Sequence, residues 1–331
     1  MKKTIYIFSN GELKRKGNTI FFEKENGSKN YLPIENTKEL MIFGEVTLNK
    51  KLLDFLSQKE IILHFFNYYG YYSGTYYPRE HYNSGYMTLK QAEHYLDENR
   101  RLVLAKLFVK GAISNIEKVL GYYNSRGINL SNTINAIEPL RNNLQESGSC
   151  EELMAFEGNI RDIYYRSFGE IIRSEDFSFE SRTKRPPENR LNALISFGNS
   201  LLYTIVLSEI YKTHLDPRIG FLHATNFRRF TLNLDVAEVF KPILVDRLIF
   251  TLLNKGMIQR NHFEEKLQGV YLKENGRKIF VEQWDEKLKT TIRHPRLGRN
   301  VSYQRLIRLE LYKIEKHLIG EEFYNPFVAR W

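Results

Sequence analysis

The chain has 331 residues, 42% of them hydrophobic and 14% aromatic, which suffices for a large core and excludes an intrinsically disordered protein. Its single cysteine, Cys150, excludes an intramolecular disulfide and favours a reducing cytoplasm. The formal net charge of +10 suits a polyanionic partner such as a nucleic acid, and much of the positive charge lies in two stretches, 182–229 and 287–308.

The first eighty residues favour β structure. Short runs rich in β-branched and aromatic residues are separated by the pairs Asn10-Gly11, Gly17-Asn18 and Asn26-Gly27, and such pairs favour the positive φ of tight hairpin turns. A short helix is expected near residues 50–57. These patterns predict a small N-terminal β domain over residues 1–80.

Helical spacing of apolar residues begins after residue 85 and dominates the rest of the chain. We expect the polar, turn-rich segment 81–90 to be a linker and residues 91–331 to form an all-α catalytic domain. The predicted fold class is therefore α+β. The most apolar stretch, 191–210, includes polar residues such as Asn192 and Glu209, so we do not expect it to cross a membrane.

Candidate metal ligands lie at three places in the helical part. Glu157 continues the apolar face of a predicted helix, where a carboxylate is costly unless it is paired, hydrogen-bonded or bound to a metal. His223 follows a turn at residues 216–220. Asp235 and Glu238 are three residues apart, so both project from one face of a helix that Pro242 ends or kinks. The simpler alternatives are a helix-start salt bridge, a hydrogen-bonded core histidine and a solvated acidic pair.

Polar and basic side chains near these positions suit a phosphate-bearing substrate. Asn192 and Ser196 fall on one face of a predicted helix, which faces solvent or lies next to the metal. The candidates for contacts with DNA phosphates are Arg182, Lys184, Arg185, Arg190, Arg228 and Arg229.

Two carboxylates and one imidazole form a hard oxygen and nitrogen ligand set, which suits Mg²⁺ or Mn²⁺. The chain has no CxxC, HExxH or Walker motif that would indicate a zinc protease or an NTPase. Positive charge beside such a metal site indicates a phosphodiester substrate. The residues therefore predict a metal-dependent enzyme that acts on nucleic acid.

Four motifs, in this order, resemble the integrase-type endonuclease of CRISPR adaptation, the first of the two universal CRISPR-associated proteins. They are AFEGNIRDIYY (155–165), RPPENRLNALISFGNSLLY (185–203), LDPRIGFLH (215–223) and LDVAEVFKPILVDRLI (234–249). The N-terminal segments YIFSNGELKRKGNTI and GEVTLNKKLLDFL agree with the β domain of that family. The resemblance covers nearly the whole chain.

The resemblance assigns the metal to Glu157, His223 and Glu238, with Asp235 as the alternative third ligand. It implies that the 3′-hydroxyl of a short foreign DNA attacks a phosphodiester in a CRISPR repeat array, without a covalent enzyme intermediate. It also implies double-stranded DNA as partner and substrate, a homodimer formed through the β domains, and a small second adaptation protein as partner. The composition of the chain predicts no association with a membrane.

Two other functions agree with the same residues. One is a stand-alone metal-dependent nuclease of DNA repair or recombination, and the other is a non-catalytic nucleic-acid-binding scaffold. The aromatic run from Phe65 to Tyr86 indicates a protein interface, base stacking at a duplex end, or ordinary packing on a small sheet.

Overall fold

The computed structural model describes residues 2–78, 82, 84–225, 230–267, 269–294 and 296–330. The chain divides into two compact units, Met1–His81 and Tyr82–Trp331. The first unit consists mainly of strands and the second mainly of helices, which confirms the predicted α+β class.

Two four-stranded sheets form the first unit. Their strands, in chain order, are β1 (Lys3–Ile7), β2 (Gly11–Lys16), β3 (Thr19–Lys24), β4 (Lys29–Leu32), β5 (Thr37–Ile42), β6 (Val46–Thr47), β7 (Ile62–Phe66) and β8 (Tyr72–Tyr76). One sheet has the order β1-β5-β7-β8 and the other has the order β4-β3-β2-β6. Strands β1, β5 and β7 are parallel, whereas β2, β3 and β4 form an antiparallel meander.

The core of this unit lies between the two sheets and helix α1 (Lys50–Gln58), which confirms the predicted short helix. Leu40 and Leu63 from one sheet join Leu13 and Ile20 from the other, and all four are fully buried. The amphipathic helix adds Leu52, Phe55 and Leu56 to the same cluster.

Two of the three predicted hairpin turns are confirmed. Gly17, at φ 60°, joins β2 to β3, and Gly27, at φ 80°, lies between β3 and β4. The expectation at Asn10-Gly11 is wrong, because β1 pairs with β5 while β2 belongs to the other sheet. Gly11 instead begins β2 where a Cβ atom would approach the Glu23 carbonyl oxygen to 2.2 Å.

Helices dominate the second unit. They are α2 (Gly85–Leu96), α3 (Glu98–Asn124), α4 (Ser131–Asn143), α5 (Cys150–Arg166), α6 (Phe168–Ile171), α7 (Arg190–Ile210), α8 (Leu232–Lys241), α9 (Arg247–Asn254), α10 (Glu274–Lys289) and α11 (Tyr303–Leu318). A π-helical turn, Pro242–Asp246, joins α8 to α9.

Two expectations for this unit need correction. The unit is not purely helical, because β9 (Phe263–Lys266) pairs with β10 (Gly269–Leu272), and β11 (Thr291–Arg293) pairs with β12 (Asn300–Ser302). The segment 81–90 is not a linker throughout, because α2 begins at Gly85. The hydroxyl of Ser84 accepts a hydrogen bond from the Met87 amide and caps that helix.

Helix α7 forms the centre of the second unit. It is long and apolar enough to cross a membrane by length and composition, but 94% of its most apolar window is buried inside the protein, as in the core helix of a soluble protein. The C-terminal segment also packs on this unit. Asn115 on α3 donates to the Phe327 carbonyl oxygen and accepts from the Ala329 amide, and the Tyr324 hydroxyl donates to Glu310.

Candidate active site

Helix α5 carries Glu157 and Arg161 on one face, because four residues separate them. Nε of Arg161 donates to Oε1 of Glu157 at 2.9 Å. Burial and the negative charge of Glu238 raise the pKa of Glu157, while Arg161 and Lys241 oppose that rise. Glu157 therefore belongs to a largely buried cluster of charges and is not a simple surface salt bridge.

Helix α8 supplies the central carboxylate of this cluster. Oε2 of Glu238 accepts from Nη2 of Arg161 at 2.5 Å, and Oε1 accepts from Nζ of Lys241. Glu238 is only 4% exposed, which excludes the solvated acidic pair. Burial by itself would raise the pKa of Glu238, but Lys241 and Arg161, helped by His223, lower it to about 2. The α-helix ends at Lys241, before Pro242, as expected.

Asp235 orients His223. Its Oδ2 accepts from the amides of Phe221 and Leu222 at 2.5 and 3.1 Å, and its Oδ1 accepts from the His223 amide at 2.9 Å. Nδ1 of His223 lies 2.8 Å from the same Oδ1. Both oxygens of the fully buried Asp235 are therefore occupied within the protein. At Gly220 a Cβ would approach Oδ2 to 2.8 Å, so the absent side chain permits this close packing.

This hydrogen bond defines the chemical state of His223. Burial alone would lower the pKa of His223, but the hydrogen bond and charge of Asp235, with a contribution from Glu238, raise it above its ordinary value of 6.5. A proton on Nδ1 that is donated to Asp235 leaves Nε2 as the nitrogen that can accept a proton or bind a metal.

A cleft of about 440 Å³ opens beside His223. Its walls come from α3, α5, the start of α8 and the segment around His223, with Arg101, Cys150, Met154, Thr231 and Leu234 among the lining residues. Because the His223 side chain is 24% exposed, a substrate in the cleft can reach the imidazole.

Asn192 and Ser196 lie on α7 and bind Arg182. Oδ1 of Asn192 accepts from Nη1 and Oγ of Ser196 accepts from Nη2, both at 3.0 Å. Lys184 lies within electrostatic range of the cluster. Loss of hydration, with the positive charges of Lys241 and Arg182, lowers the pKa of Lys184, while Glu157 and Glu238 oppose that effect. The polar face of α7 therefore orients a basic segment beside the carboxylates.

The other basic candidates differ in their surroundings. Arg190 binds Oε1 of Glu265 at 2.8 Å and the Asp176 carbonyl oxygen at 3.1 Å, so its guanidinium is used within the protein. Arg185 is exposed to solvent. Arg228 and Arg229 lie outside the described residues.

The sequence analysis missed three charged residues of this cluster. Arg161 and Lys241 follow Glu157 and Glu238 by four and three residues, and that spacing was the available signal. Asp246 gave no such signal. It is fully buried in the π-helical turn, and burial raises its pKa to about 7, against the opposing effects of Arg161, Lys241 and the Tyr164 hydroxyl.

Within the described ranges, no three histidine, cysteine, aspartate or glutamate side chains are close enough together to hold a metal ion. The carboxylates instead bind cations of the protein itself. Arg161 binds both Glu157 and Glu238, and Lys241 binds the second oxygen of Glu238. His223 and Glu238 still influence each other's pKa, as do Glu238 and Glu157.

Comparison with known proteins identifies the family. The family model described as CRISPR associated protein Cas1 matches residues 5–286. The chain belongs to the Cas1 family. A relative from Thermodesulfovibrio yellowstonii, named CRISPR-associated endonuclease Cas1 2, is 62% identical over 331 residues and is covered completely, as is this chain. These matches confirm the resemblance to the endonuclease family of CRISPR adaptation, and enzymes of this family are generally metal-dependent.

Solved structures agree with the fold. A Cas1 protein from Thermotoga maritima is 48% identical, with a TM-score of 0.86 over 98% of this chain and 99% of its own. A casposase bound to integration product has a TM-score of 0.88 at 20% identity, over 99% of this chain and 94% of its own. A Cas6-RT-Cas1–Cas2 complex has a TM-score of 0.85 at 16% identity, over all of this chain and 36% of its own. The last two are similar in fold alone.

Proposed function

We propose that this Cas1 protein joins the 3′-hydroxyl of a short DNA to a phosphodiester in a CRISPR repeat array, at a divalent metal held by Glu157, His223 and Glu238. The observation that carries the proposal is the pair of buried carboxylates on α5 and α8, next to an imidazole whose Nδ1 is bound to Asp235. Buried carboxylates of like charge are unfavourable without a cation, and here Arg161 and Lys241 supply that charge.

The donor set fits Mg²⁺ or Mn²⁺. Two carboxylates provide hard oxygen ligands, and Nε2 of His223 provides the nitrogen because Nδ1 is bound to Asp235. Asp235 is less suited to be a direct ligand, since it is fully buried and already binds three backbone amides and Nδ1 of His223. The partners of Glu238 are side-chain cations, whose charge a metal ion can replace. When bound, the metal supplies Lewis-acid activation of the attacking hydroxyl and neutralises charge on the phosphate.

The residues of the chain perform the remaining tasks. Asp235 fixes the orientation of the His223 ring. Arg161 and Lys241 keep Glu238 ionised, and Arg161 also holds the Glu157 carboxylate in place. Arg182 and Lys184 offer positive charge to a DNA phosphate beside the carboxylates, and α7 holds Arg182 through two hydrogen bonds. Such phosphate contacts carry no sequence information, so DNA affinity should depend strongly on salt.

The proposal extends to the partners. Double-stranded DNA is the substrate, and the chain acts as a homodimer joined through its first unit, with the small second adaptation protein, in the cytoplasm. The casposase structure contains an integration product and the Cas6-RT-Cas1–Cas2 structure contains Cas2, which supports DNA and a Cas2-type partner here.

A strand-transfer assay tests the proposal. The protein, the small partner and Mg²⁺ or Mn²⁺ are mixed with a short duplex and a plasmid that carries the repeat, and covalent joining is measured. Glu157→Gln and His223→Asn should abolish joining while DNA binding remains. Glu170→Gln, which alters an exposed carboxylate on α6, is the matched control and should join DNA normally.

Two outcomes would replace the proposal with another function. Nicking without joining, under either metal and with the partner present, would indicate a stand-alone nuclease. Equal Mn²⁺ binding and equal activity in wild type, Glu157→Gln and His223→Asn would indicate a protein whose predicted ligands have no catalytic role.

A further inference from the structure

Helix α2 binds the segment that carries His223. Gln91, fully buried on this helix, forms three hydrogen bonds with the backbone of the segment 216–223. Its Oε1 accepts from the Asp216 amide at 2.7 Å, and its Nε2 donates to the carbonyl oxygens of Asp216 and Ile219 at 3.0 and 3.1 Å. The segment is described throughout and belongs to neither a helix nor a strand, so side chains hold it in place.

Gln91 and α8 bind opposite ends of one peptide group. The carbonyl oxygen of Ile219 and the amide of Gly220 belong to the same planar unit. Gln91 donates to the carbonyl oxygen, and Oγ1 of Thr231, the residue before α8, accepts from the amide at 2.8 Å. A peptide group that is bound at both ends cannot rotate without losing one of these hydrogen bonds.

This peptide group precedes the part of the segment that orients the imidazole. The amides of residues 221–223 converge on Asp235, and Nδ1 of His223 contacts the same carboxylate. Gly220 packs so closely against Thr231 and Asp235 that a Cβ atom would approach their atoms to 2.7 and 2.8 Å. The segment therefore has little room to compensate for a rotated peptide group.

A second peptide group is held in the same way. The Phe221 carbonyl oxygen accepts from Nε of Arg101 at 2.9 Å, and the Leu222 amide donates to Asp235 at 3.1 Å. Side chains of α2 and α3 thus bind the segment on one side, and α8 binds it on the other. Arg101 also lines the cleft, so its replacement would change the surface that meets the substrate. Gln91 is buried, which makes it the more selective test of this support.

We propose that Gln91 is a positioning residue of the metal site. By fixing the beginning of the segment 216–223, it keeps the amides of residues 221–223 on Asp235 and directs Nε2 of His223 toward the metal. This inference rests on the proposed function, because it takes His223 as a metal ligand. Residues that orient a ligand in this way typically contribute a factor of about 10–100 to metal affinity.

The test measures Mn²⁺ affinity by calorimetric titration. Gln91→Met fills the same space but removes all three hydrogen bonds, and it should weaken Mn²⁺ binding about tenfold, the lower end of that range, because Gln91 acts through the backbone. Gln91→Asn, whose shorter side chain cannot reach Asp216 and Ile219 together, should weaken it by a smaller factor. Joining of DNA by Gln91→Met should approach the wild-type rate at saturating Mn²⁺, because every proposed ligand remains.

Two further measurements separate positioning from general stability. In a His223→Asn background, Gln91→Met should not weaken Mn²⁺ binding further, because the residue through which Gln91 acts is already lost. In EDTA, hydrogen exchange of the amides of residues 221–223 should be faster in Gln91→Met than in the wild type, because the segment opens more often. This second measurement requires neither metal nor DNA.

Asn254→Leu is the matched control. Asn254 donates to the Ile171 carbonyl oxygen at 3.0 Å and accepts from the Arg173 amide at 3.3 Å, so it forms the same kind of contact with a different segment. Its replacement should lower the unfolding temperature in EDTA but leave Mn²⁺ affinity and the exchange of residues 221–223 unchanged.

The outcomes distinguish this inference from the proposed function. If His223→Asn weakens Mn²⁺ binding but Gln91→Met does not, the positioning role of Gln91 is wrong and the metal site stands. A loss in Gln91→Met that persists in the His223→Asn background would also overturn the inference, because Gln91 would then act by another route. If His223→Asn binds Mn²⁺ as tightly as the wild type, the proposed metal site is wrong, and this inference fails with it.

Discussion

Replacing Glu238 by glutamine should destabilise this Cas1 protein far more than the same change at Glu157. Both residues are proposed metal ligands, but in the metal-free protein their environments are opposite. Glu238 binds Arg161 and Lys241, and these cations lower its pKa from 4.5 to about 2. Burial and Glu238 raise the pKa of Glu157, so ionisation of Glu157 is less favourable in the folded protein than in the unfolded chain.

The magnitude follows from linkage. A carboxylate whose pKa is lowered by folding contributes stability above its unfolded pKa of 4.5 and loses it as the pH falls through about 2, so the contribution is complete at pH 7.5. The shift corresponds to about 3 kcal/mol, and removing one member of a buried ion pair typically costs about 3–5 kcal/mol. For a domain of about 250 residues, 3 kcal/mol lowers the unfolding temperature by roughly 6–12 °C.

Thermal unfolding followed by circular dichroism in EDTA at pH 7.5 measures this difference. Glu238→Gln should unfold about 6–12 °C below the wild type, whereas Glu157→Gln should unfold at the wild-type temperature or above it. Equal decreases in both variants, or none for Glu238→Gln, would refute the assignment of Glu238 as the residue that organises Arg161 and Lys241.

Three further predictions concern neighbouring residues. Asp235→Asn should weaken Mn²⁺ binding by about 10–100-fold, measured by calorimetric titration, because His223 loses the group that orients it. Asp246→Asn should raise the free energy of unfolding, measured in urea at pH 8, by up to about 4 kcal/mol. The reason is that folding raises the pKa of Asp246 from 3.8 to about 7, so the wild type loses stability as the pH rises through this range. Near pH 4 the wild type and the variant should therefore be equally stable. Arg185→Gln should weaken salt-dependent DNA binding, whereas Arg190→Gln should not, since Arg190 already binds Glu265.

Residues that act within one helix could be predicted from the sequence. Glu157 on the apolar face of α5, and Asp235 with Glu238 on α8, follow from spacing alone, and the end of α8 at Pro242 follows from proline chemistry. Arg161 could have been recognised by the same rule. The helical period therefore identified which side chains point inward, but it did not reveal which cations neutralise them.

Features that depend on tertiary contacts could not be predicted. The role of Asp235 depends on three backbone amides of residues 221–223, which the fold brings to its carboxylate. The hairpin predicted at Asn10-Gly11 was wrong for the same reason. The local pair suits a hairpin, but β1 pairs with β5, where Ile7 lies beside Ile42. Asp246 is buried in a π-helical turn, which no local sequence pattern predicted.

A crystal of the wild-type protein soaked in Mn²⁺ tests the central claim most directly, because anomalous scattering locates the metal without reference to activity. We expect one Mn²⁺ peak per active site, about 2.0–2.3 Å from a carboxylate oxygen of Glu157, Nε2 of His223 and a carboxylate oxygen of Glu238, with Asp235 still bound to Nδ1. A peak coordinated by Asp235 in place of Glu238, or no peak at these residues, would contradict the account.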